Sequence, residues 1–371
     1  MRLALICRPF VFYGGVETAT AGLLGELVRQ GHQVDLITTR GQPPVPGVTV
    51  RELAVPSQPS LARLLVFGIA ARWAARGGRY DVVQGHERCP GQDIYRAGEG
   101  THQGYLAAMG RRRAKVNPYH RTVMLMEKQI FSLRWAREIV AISHAGKSEI
   151  ERLYATPPAK VTVVYNGVDL DRFHPGNRER LGPPTRAELA LSSGAWTVLF
   201  VGSGFERKGL GPLLEGLGLM EDTKARLVVA GKGSTERYRS LSARLGILDR
   251  VVWVGPRADV ERLYALADVV ALPARYEPFG NVHLEALASG VPVLSSAAAG
   301  GAELIRDGDN GVVAAEVTGR VIGRLLDRLR ESNPERLRER ARATACGFTH
   351  AAQVEAFTRL YRRLSRNMAF H

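Results

Sequence analysis

The sequence predicts an α/β protein made of two doubly wound parallel-sheet domains, and three observations predict it. The chain has 371 residues, more than a single hydrophobic core usually organises. Short β-branched or aliphatic runs alternate with longer helical stretches, as in successive βαβ units. That rhythm is interrupted over Asp171–Ser193, rich in proline, glycine and charge, and then starts again.

In the first half, Leu3–Cys7 reads as a strand and Val16–Gln30 as a helix with a small-residue face. Val34–Thr38 is the next strand, entered from the turn Gly31-His32, and Asp81–Gln84, Glu138–Ile142 and Val161–Tyr165 continue the series. Asp171–Ser193 reads as a linker followed by a short lead-in. In the second half, Trp196–Val201, Arg226–Ala230, Val251–Val254, Val269–Leu272 and Val291–Leu294 read as strands with helices between them. From Arg320 onward the chain reads as helical and dense in arginine. Asp327, Glu331, Glu335 and Glu339 are interleaved there, as on a solvated helix face. The expected domains are residues 1–170 and 171–351, with a last helix at about 352–371 packing back on the first. Open sheets of this kind bind ligand beyond the carboxyl ends of their strands. The site is therefore expected just after strands, in a cleft between the domains.

Composition narrows the function classes. The chain is 45% hydrophobic and 23% charged, which fits a globular enzyme and not a disordered tail. No segment reaches the roughly 18–20 uninterrupted apolar residues of a membrane helix. The richest stretch, Leu61–Ala75, is broken by Arg63 and Arg72 and reads as an amphipathic helix. The first apolar run is too short for a secretory signal and no small-residue cleavage site follows, so the expected location is the cytoplasm. Cys7, Cys89 and Cys346 are scattered, without metal-ligand spacing, as suits a reducing compartment. The net charge of +15 asks for a polyanionic neighbour: nucleic acid, an anionic membrane or a phosphorylated glycan. Of the basic residues, 44 are arginine and seven are lysine, a bias that genome base composition also produces. Charge alone does not choose the partner.

Three motifs fall just after strands. Val11-Phe12-Tyr13-Gly14-Gly15-Val16-Glu17 follows the first strand and opens a helix. Paired glycines there let backbone N–H groups approach a phosphate at the positive end of the helix. Val201-Gly202-Ser203-Gly204-Phe205-Glu206-Arg207-Lys208-Gly209-Leu210 repeats the strand–loop–helix pattern. Arg207 offers planar bidentate donors and Lys208 a compact ammonium for a departing diphosphate. The third motif is Glu277-Pro278-Phe279-Gly280-Asn281-Val282-His283-Leu284-Glu285. Pro278 and Gly280 keep Glu277 outside the helix, while Glu285 lies about one turn inside it. Glu277 is then placed to accept hydrogen bonds from sugar hydroxyls and Glu285 from a ribose diol. The N–H groups of Phe279, Gly280, Asn281 and Val282 lie between them, at a helix start suited to diphosphate.

These motifs, with Asn166-Gly167-Val168-Asp169 and Arg172-Phe173, resemble glycosyltransferase family 4 of the GT-B fold: two Rossmann-like domains facing across a cleft. Gly85, Pro90-Gly91, Asp93 and Gly202-Ser203-x-Phe205-x-Arg207-Lys208-Gly209 draw the likeness toward heptose glucosyltransferases of type I from the lipopolysaccharide core. The likeness spans Leu3 to about Phe348 and is most specific around the paired glutamates. It implies a UDP-sugar donor, with UDP-glucose the first expectation, bound by Gly14, Gly15, Arg172, Gly202, Ser203, Arg207, Lys208 and the Glu277–Glu285 loop. It also implies transfer with retention at the anomeric carbon, onto a lipid-linked or lipopolysaccharide-core acceptor such as heptose. Catalytic candidates are Lys208, Glu277 and, after a central strand of the first domain, Glu99 or His102, with Glu99 preferred by alignment. Ala19 stands where close relatives carry an acidic residue, which leaves the acceptor and the sugar open.

Two Asp-x-Asp triplets, Asp169-Leu170-Asp171 and Asp307-Gly308-Asp309, are compatible with a divalent cation, yet both lie in turn chemistry. No metal and no cofactor are expected. Arg111-Arg112-Arg113-Ala114-Lys115, with His120 and Arg121, suits anionic lipid headgroups or a solvated loop equally. An enzyme peripheral to the inner face of the cytoplasmic membrane is the resulting expectation. The competing readings are a basic protein that binds nucleic acid or membrane, and a sugar-nucleotide epimerase. The first lacks a nucleic-acid module, so no nucleic-acid partner is expected; the second differs in needing no acceptor.

Overall fold

The computed structural model of the chain describes residues 1–10, 15–111 and 116–366. They form two units. One holds the first strand, Val16–Gly167 and the segment from His350; Val168–Thr349 form the other.

The first unit runs β1 (Arg2–Ile6), α1 (Gly15–Arg29), β2 (Gln33–Thr39), β3 (Val48–Leu53), α2 (Ser60–Gly77), β4 (Val82–Gly85) and β5 (Ile94–Arg96). It continues with α3 (His102–Ala108), α4 (Pro118–Phe131), β6 (Glu138–Ala141), α5 (His144–Tyr154) and β7 (Val161–Val163). Its seven parallel strands lie in the order β3-β2-β1-β4-β5-β6-β7. Side chains alternate across β1, so each face meets a different layer. Leu3 and Leu5 pack with Leu23 and Leu27 of α1. Ala4 and Ile6 pack with Phe67, Ala71 and Ala75 of α2.

The second unit runs α6 (Asn177–Glu188), β8 (Thr197–Val201), α7 (Leu210–Leu219), β9 (Arg226–Ala230), α8 (Glu236–Arg244), β10 (Val251–Gly255) and α9 (Val260–Leu266). It continues with β11 (Val269–Leu272), α10 (Asn281–Ala288), β12 (Val293–Ser296), β13 (Gly311–Ala314), α11 (Gly319–Glu331) and α12 (Pro334–Ala345). The sheet order is β10-β9-β8-β11-β12-β13, all parallel, with Val270 of β11 between Leu199 and Val293. Winding reverses at the β8/β11 boundary, and at β1/β4 in the first sheet. At such a switch point the loops leaving two neighbouring strands splay apart and leave room between them.

The last helix, α13 (His350–Arg366), belongs to the first unit. Val354, Phe357, Leu360 and Tyr361 enter the same core as Leu3 and Leu23. The Tyr361 hydroxyl donates to Gln84 Oε1 at 2.6 Å, and the Gly167 amide donates to Gln353 Oε1 at 3.2 Å. Arg342 on α12 donates to the carbonyls of Leu170, Phe173 and Ala288, so a guanidinium caps the end of α10.

Several elements differ from expectation. The stretch read as a linker contains α6, with Pro183 and Pro184 inside it. Proline normally disrupts a helix interior. Here Thr185 Oγ1 adds a bond to Leu181 O at 2.6 Å just past the prolines, and Arg186 ties the helix to Leu266 O at 2.7 Å. β3, β5 and β13 were not anticipated: β3 is an edge strand that carries the charged pair Arg51-Glu52, β5 has three residues and β13 directly follows a turn. The arginines of α11 and α12 lie on a solvated face, as expected, and four of them also pair there: Arg328 with Asp307, Arg330 with Asp222, and Arg336 and Arg340 with Asp309. Finally, α2 is apolar on its outer side as well, with Trp73 68% exposed.

Because Phe357 is fully buried in the first unit's core, Phe357→Ala is expected to destabilise that unit by about 3–5 kcal/mol. Hydrogen exchange is expected to quicken in β1 and α1 and to stay unchanged in β8 and β9. Uniform loss across both units contradicts this placement.

Candidate functional site

The loop leaving β8 bends because glycine allows it. Gly202, Gly204 and Gly209 have φ of +144°, +78° and +78°, where a side chain is strained. A Cβ on Gly209 would overlap the Pro273 carbonyl oxygen, and one on Gly202 would overlap Lys208 Nζ. These glycines let the loop approach β11 and let Lys208 fold back beneath it. Ser203 Oγ accepts from the Lys232 amide at 3.3 Å, which ties the loop to the turn after β9.

The loop leaving β11 meets it. The Arg275 amide donates to Arg207 O at 2.8 Å. Arg207 Nη1 donates to Tyr276 O at 2.9 Å and to Glu277 Oε2 at 2.8 Å. Lys208 Nζ lies 3.7 Å from the same carboxylate oxygen. Glu277 is itself fixed by its backbone, since its carbonyl accepts from Gly300 N at 2.8 Å. Gly280, at φ +83°, starts α10. The carbonyl of Phe279 accepts from Gly301 N at 2.8 Å. The side chains of Phe279 and Val282 are buried, so these residues offer a ligand only their backbone.

His283 locks this turn. It is fully buried, with Nδ1 2.8 Å from Gly280 O and Nε2 2.7 Å from Ser295 Oγ. A neutral ring satisfies both contacts: Nδ1–H donates to the carbonyl and Nε2 accepts from the hydroxyl. Burial lowers its pKa to about 4, a tendency that the Gly280 carbonyl and Glu277 oppose. One turn on, Glu285 is also buried, and its Oε2 accepts from the Tyr264 hydroxyl at 2.6 Å.

Three charged groups, two of them buried and Glu277 nearly so, share this corner. Burial lowers the Lys208 pKa, with Arg207 adding to the effect and Glu277 and Glu285 opposing it. Burial raises the Glu277 carboxyl, but Lys208 and Arg207 outweigh it and hold the group below its usual range. Glu285 is displaced the other way, raised by burial despite Tyr264, Arg172 and Lys208. The corner therefore holds an ionised carboxylate against two cations, and a second carboxyl with greater proton affinity.

Other expected residues are placed as follows. Arg172 is engaged by Glu261 Oε2 at 2.7 and 3.0 Å and donates to Ala258 O. Asp169 Oδ1 accepts from the amides of Asp171 and Arg172, and Asp307 and Asp309 face the arginines named above. Asp93 Oδ2 accepts from Val83 N at 2.9 Å, and a Cβ on Gly85 would overlap Gln92 Oε1; both serve local packing. Gly15 is the first residue of α1. Val11–Gly14 and Arg112–Lys115 lie outside the described residues. Tyr264, His283 and Ser295 were missed as site residues. Only His283 carried a signal, a lone histidine between the two glutamates.

A second polar cluster lies beyond the strand ends of the first unit. Arg8 pairs with Glu87 (2.7 Å) and with Glu99. Arg88 Nη1 lies 3.2 Å from the other Glu99 oxygen and Arg88 Nη2 2.9 Å from Glu127. Burial raises the Glu99 carboxyl, and Arg8 and Arg88 more than offset this, leaving it lowered. The buried Glu127 accepts from Arg88, the His102 amide and the Tyr154 hydroxyl. His102 Nε2 lies 2.8 Å from His120 Nδ1. Burial, Arg88 and His120 lower the His102 pKa to about 4, so its ring is neutral near pH 7.

Known proteins place this architecture. Residues 13–172 match the model of Glycosyltransferase Family 4, and residues 183–345 that of Glycosyl transferases group 1. The D-inositol 3-phosphate glycosyltransferase of Streptomyces scabiei is 31% identical over 80% of this chain and 74% of its own. The lipopolysaccharide glucosyltransferase WaaG of Escherichia coli is 25% identical over 85% of this chain and 86% of its own. A crystal structure of WaaG, described as a glycosyltransferase involved in lipopolysaccharide biosynthesis, superposes with a TM-score of 0.84 at 24% identity, covering 97% of this chain and 99% of that one. HepE of Anabaena, solved with UDP-glucose, shares the fold with a TM-score of 0.75 at 18% identity over the whole of both chains. With two parallel Rossmann-like sheets and glycosyltransferase models matching both units, the chain belongs to the GT-B glycosyltransferases of family 4.

Proposed function

We propose that this chain is a retaining hexosyltransferase, taking glucose from UDP-glucose and adding it to a lipid-linked or lipopolysaccharide-core acceptor such as heptose. The observation that carries the donor side is the meeting of Arg207, Lys208 and Glu277 at the β8/β11 switch point, with Glu285 one turn further on. A nucleoside diphosphate needs cations where its charge grows on departure. Lys208, buried and fixed, supplies one without solvent reorganisation, and Arg207 is near enough to supply a second. Glu277 orients that pair and is available to sugar hydroxyls. Glu285, with Tyr264 as its hydrogen-bond partner, takes the ribose diol. UDP as the nucleotide rests on the likeness to WaaG and on HepE, whose fold is the same and which was solved with UDP-glucose.

In the proposed step the acceptor oxygen attacks the anomeric carbon on the face that the diphosphate leaves. The new C–O bond forms as the sugar–phosphate bond breaks, and a β-phosphate oxygen takes the acceptor proton. No metal is required by this scheme, because Arg207 and Lys208 meet the charge. Glu99 is held ionised between two arginines, which suits an electrostatic role better than proton abstraction. His102, neutral near pH 7, suits a hydrogen bond from an acceptor hydroxyl. The acceptor class and an association with the anionic inner face of the cytoplasmic membrane rest on the likeness to WaaG and on the net charge of +15.

UDP is expected to raise the melting temperature of the chain saturably, and Lys208→Ala or Glu285→Gln to abolish that shift. Transfer should fall about 100-fold or more in Lys208→Ala, the scale of losing one fixed donor to a developing anion. A folded Lys208→Ala variant with intact donor binding contradicts the reading. Sugar-nucleotide turnover to an isomer with donor alone, seen by mass spectrometry, identifies an epimerase instead.

The neutral His283 gives a pH dependence with a definite sign. Its folded pKa of about 4 lies below the ordinary 6.5, so between these values the unfolded chain binds more protons. The contribution is fully present above pH 6.5 and is lost as pH falls toward 4, amounting to about 3 kcal/mol. Thermal unfolding across this window is expected to show the loss in the native chain and a flatter profile in His283→Gln. Equal slopes in both contradict the assignment.

A further inference from the structure

A surface helix normally keeps one apolar stripe for the core and a polar face for water. α2 departs from this. Its inner face, Phe67, Ala71 and Ala75, is buried against Ile6 and Cys89. Its outer face carries Leu65, Ile69 and Trp73, which are 44%, 59% and 68% exposed. Spaced by four, they form one stripe along the helix, with Val66 beside it. The helix contains no acidic residue; Arg63, Arg72 and Arg76 are its charges. α4, which packs against α2, repeats the combination on a smaller scale, with Leu125 60% exposed and Arg121 and Lys128 exposed near it.

We propose that the outer face of α2 docks on an anionic lipid bilayer, with Leu65, Ile69 and Trp73 entering the headgroup boundary and the flanking arginines meeting lipid phosphates. The inference deepens the membrane-proximal part of the function proposed above. Charge decides the occupant. A second copy of the chain, paired symmetrically through this face, brings the Arg72 and Arg76 of both copies together with no carboxylate on either helix to meet them. A bilayer of anionic lipid supplies phosphates to the arginines and an apolar layer to the stripe at once. Tryptophan favours this depth because its ring is apolar and its N–H is polar. The arginines keep their guanidinium groups at headgroup level while their stems cover apolar surface. No helix among the described residues is long and apolar enough to cross a membrane, so α2 lies along the surface.

Flotation of the full chain with vesicles of phosphatidylethanolamine and phosphatidylglycerol tests this, with pure phosphatidylcholine vesicles as the neutral arm. The chain is expected to float with the anionic vesicles and to remain behind with the neutral ones. The triple variant Leu65→Gln, Ile69→Gln, Trp73→Ser should bind about tenfold more weakly or worse, with unchanged circular dichroism. Arg72→Gln with Arg76→Gln should lose roughly tenfold or more on anionic vesicles. Undiminished flotation of the folded triple variant overturns the proposal, as does a wild-type chain indifferent to anionic vesicles. A wild-type dimer that the triple variant dissociates, without vesicle binding, overturns it in favour of a second copy. Failure of UDP to stabilise a chain that still floats sinks the donor reading and leaves the docking face standing.

Discussion

Glu277 is largely withdrawn from solvent beside two cations, and the loops of the second unit are built to keep that compensation intact. A buried carboxylate without partners is costly; here Arg207 reaches it at 2.8 Å and Lys208 at 3.7 Å. The arrangement depends on topology. β8 and β11 are neighbours in space although β9 and β10 separate them in sequence, so the loops that follow them converge where the winding reverses. Glycines at 202, 209 and 280 permit the close approach, and a neutral His283 fixes the turn on which Glu277 and Glu285 are mounted. Chemistry follows from this packing: a positive corner beside a helix start, set between two carboxyl groups of different proton affinity.

Much of this was legible in the residues. Arg226–Ala230 and Val269–Leu272 read as strands with the ends they have in the structure, because dense β-branched runs leave little choice. The Arg207–Lys208 and Glu277–Glu285 motifs fall after strands as expected, and lie together. What escaped has physical causes. β5 is three residues long and includes Arg96, a buried guanidinium that donates to Asn166 at 2.5 Å, so it has no apolar signature. β13 follows the Asp307–Asn310 turn directly. α6 contains two prolines, which in a sequence read as helix breakers. Tyr264 was invisible as a partner of Glu285 because the pairing is tertiary, 21 residues apart.

The arginine excess also takes on a clearer meaning in three dimensions. In the second unit, guanidinium groups cap carbonyls and pair with acids, as Arg342 does at the end of α10 and Arg178 with Asp268. On α2 the arginines instead flank an apolar stripe, with no acid on the helix to answer them. The same residue type acts as an internal staple in one place and as a surface charge in another.

The central claim is that a cationic corner at the β8/β11 switch point binds a diphosphate without metal. Calorimetric titration of UDP against UMP in the presence of a chelator tests it most directly. The account predicts that UDP binds at least about tenfold more tightly, since only its second phosphate adds charge for Arg207 and Lys208 to meet. Equal affinities, or UDP binding that appears only when a divalent cation is restored, contradict it.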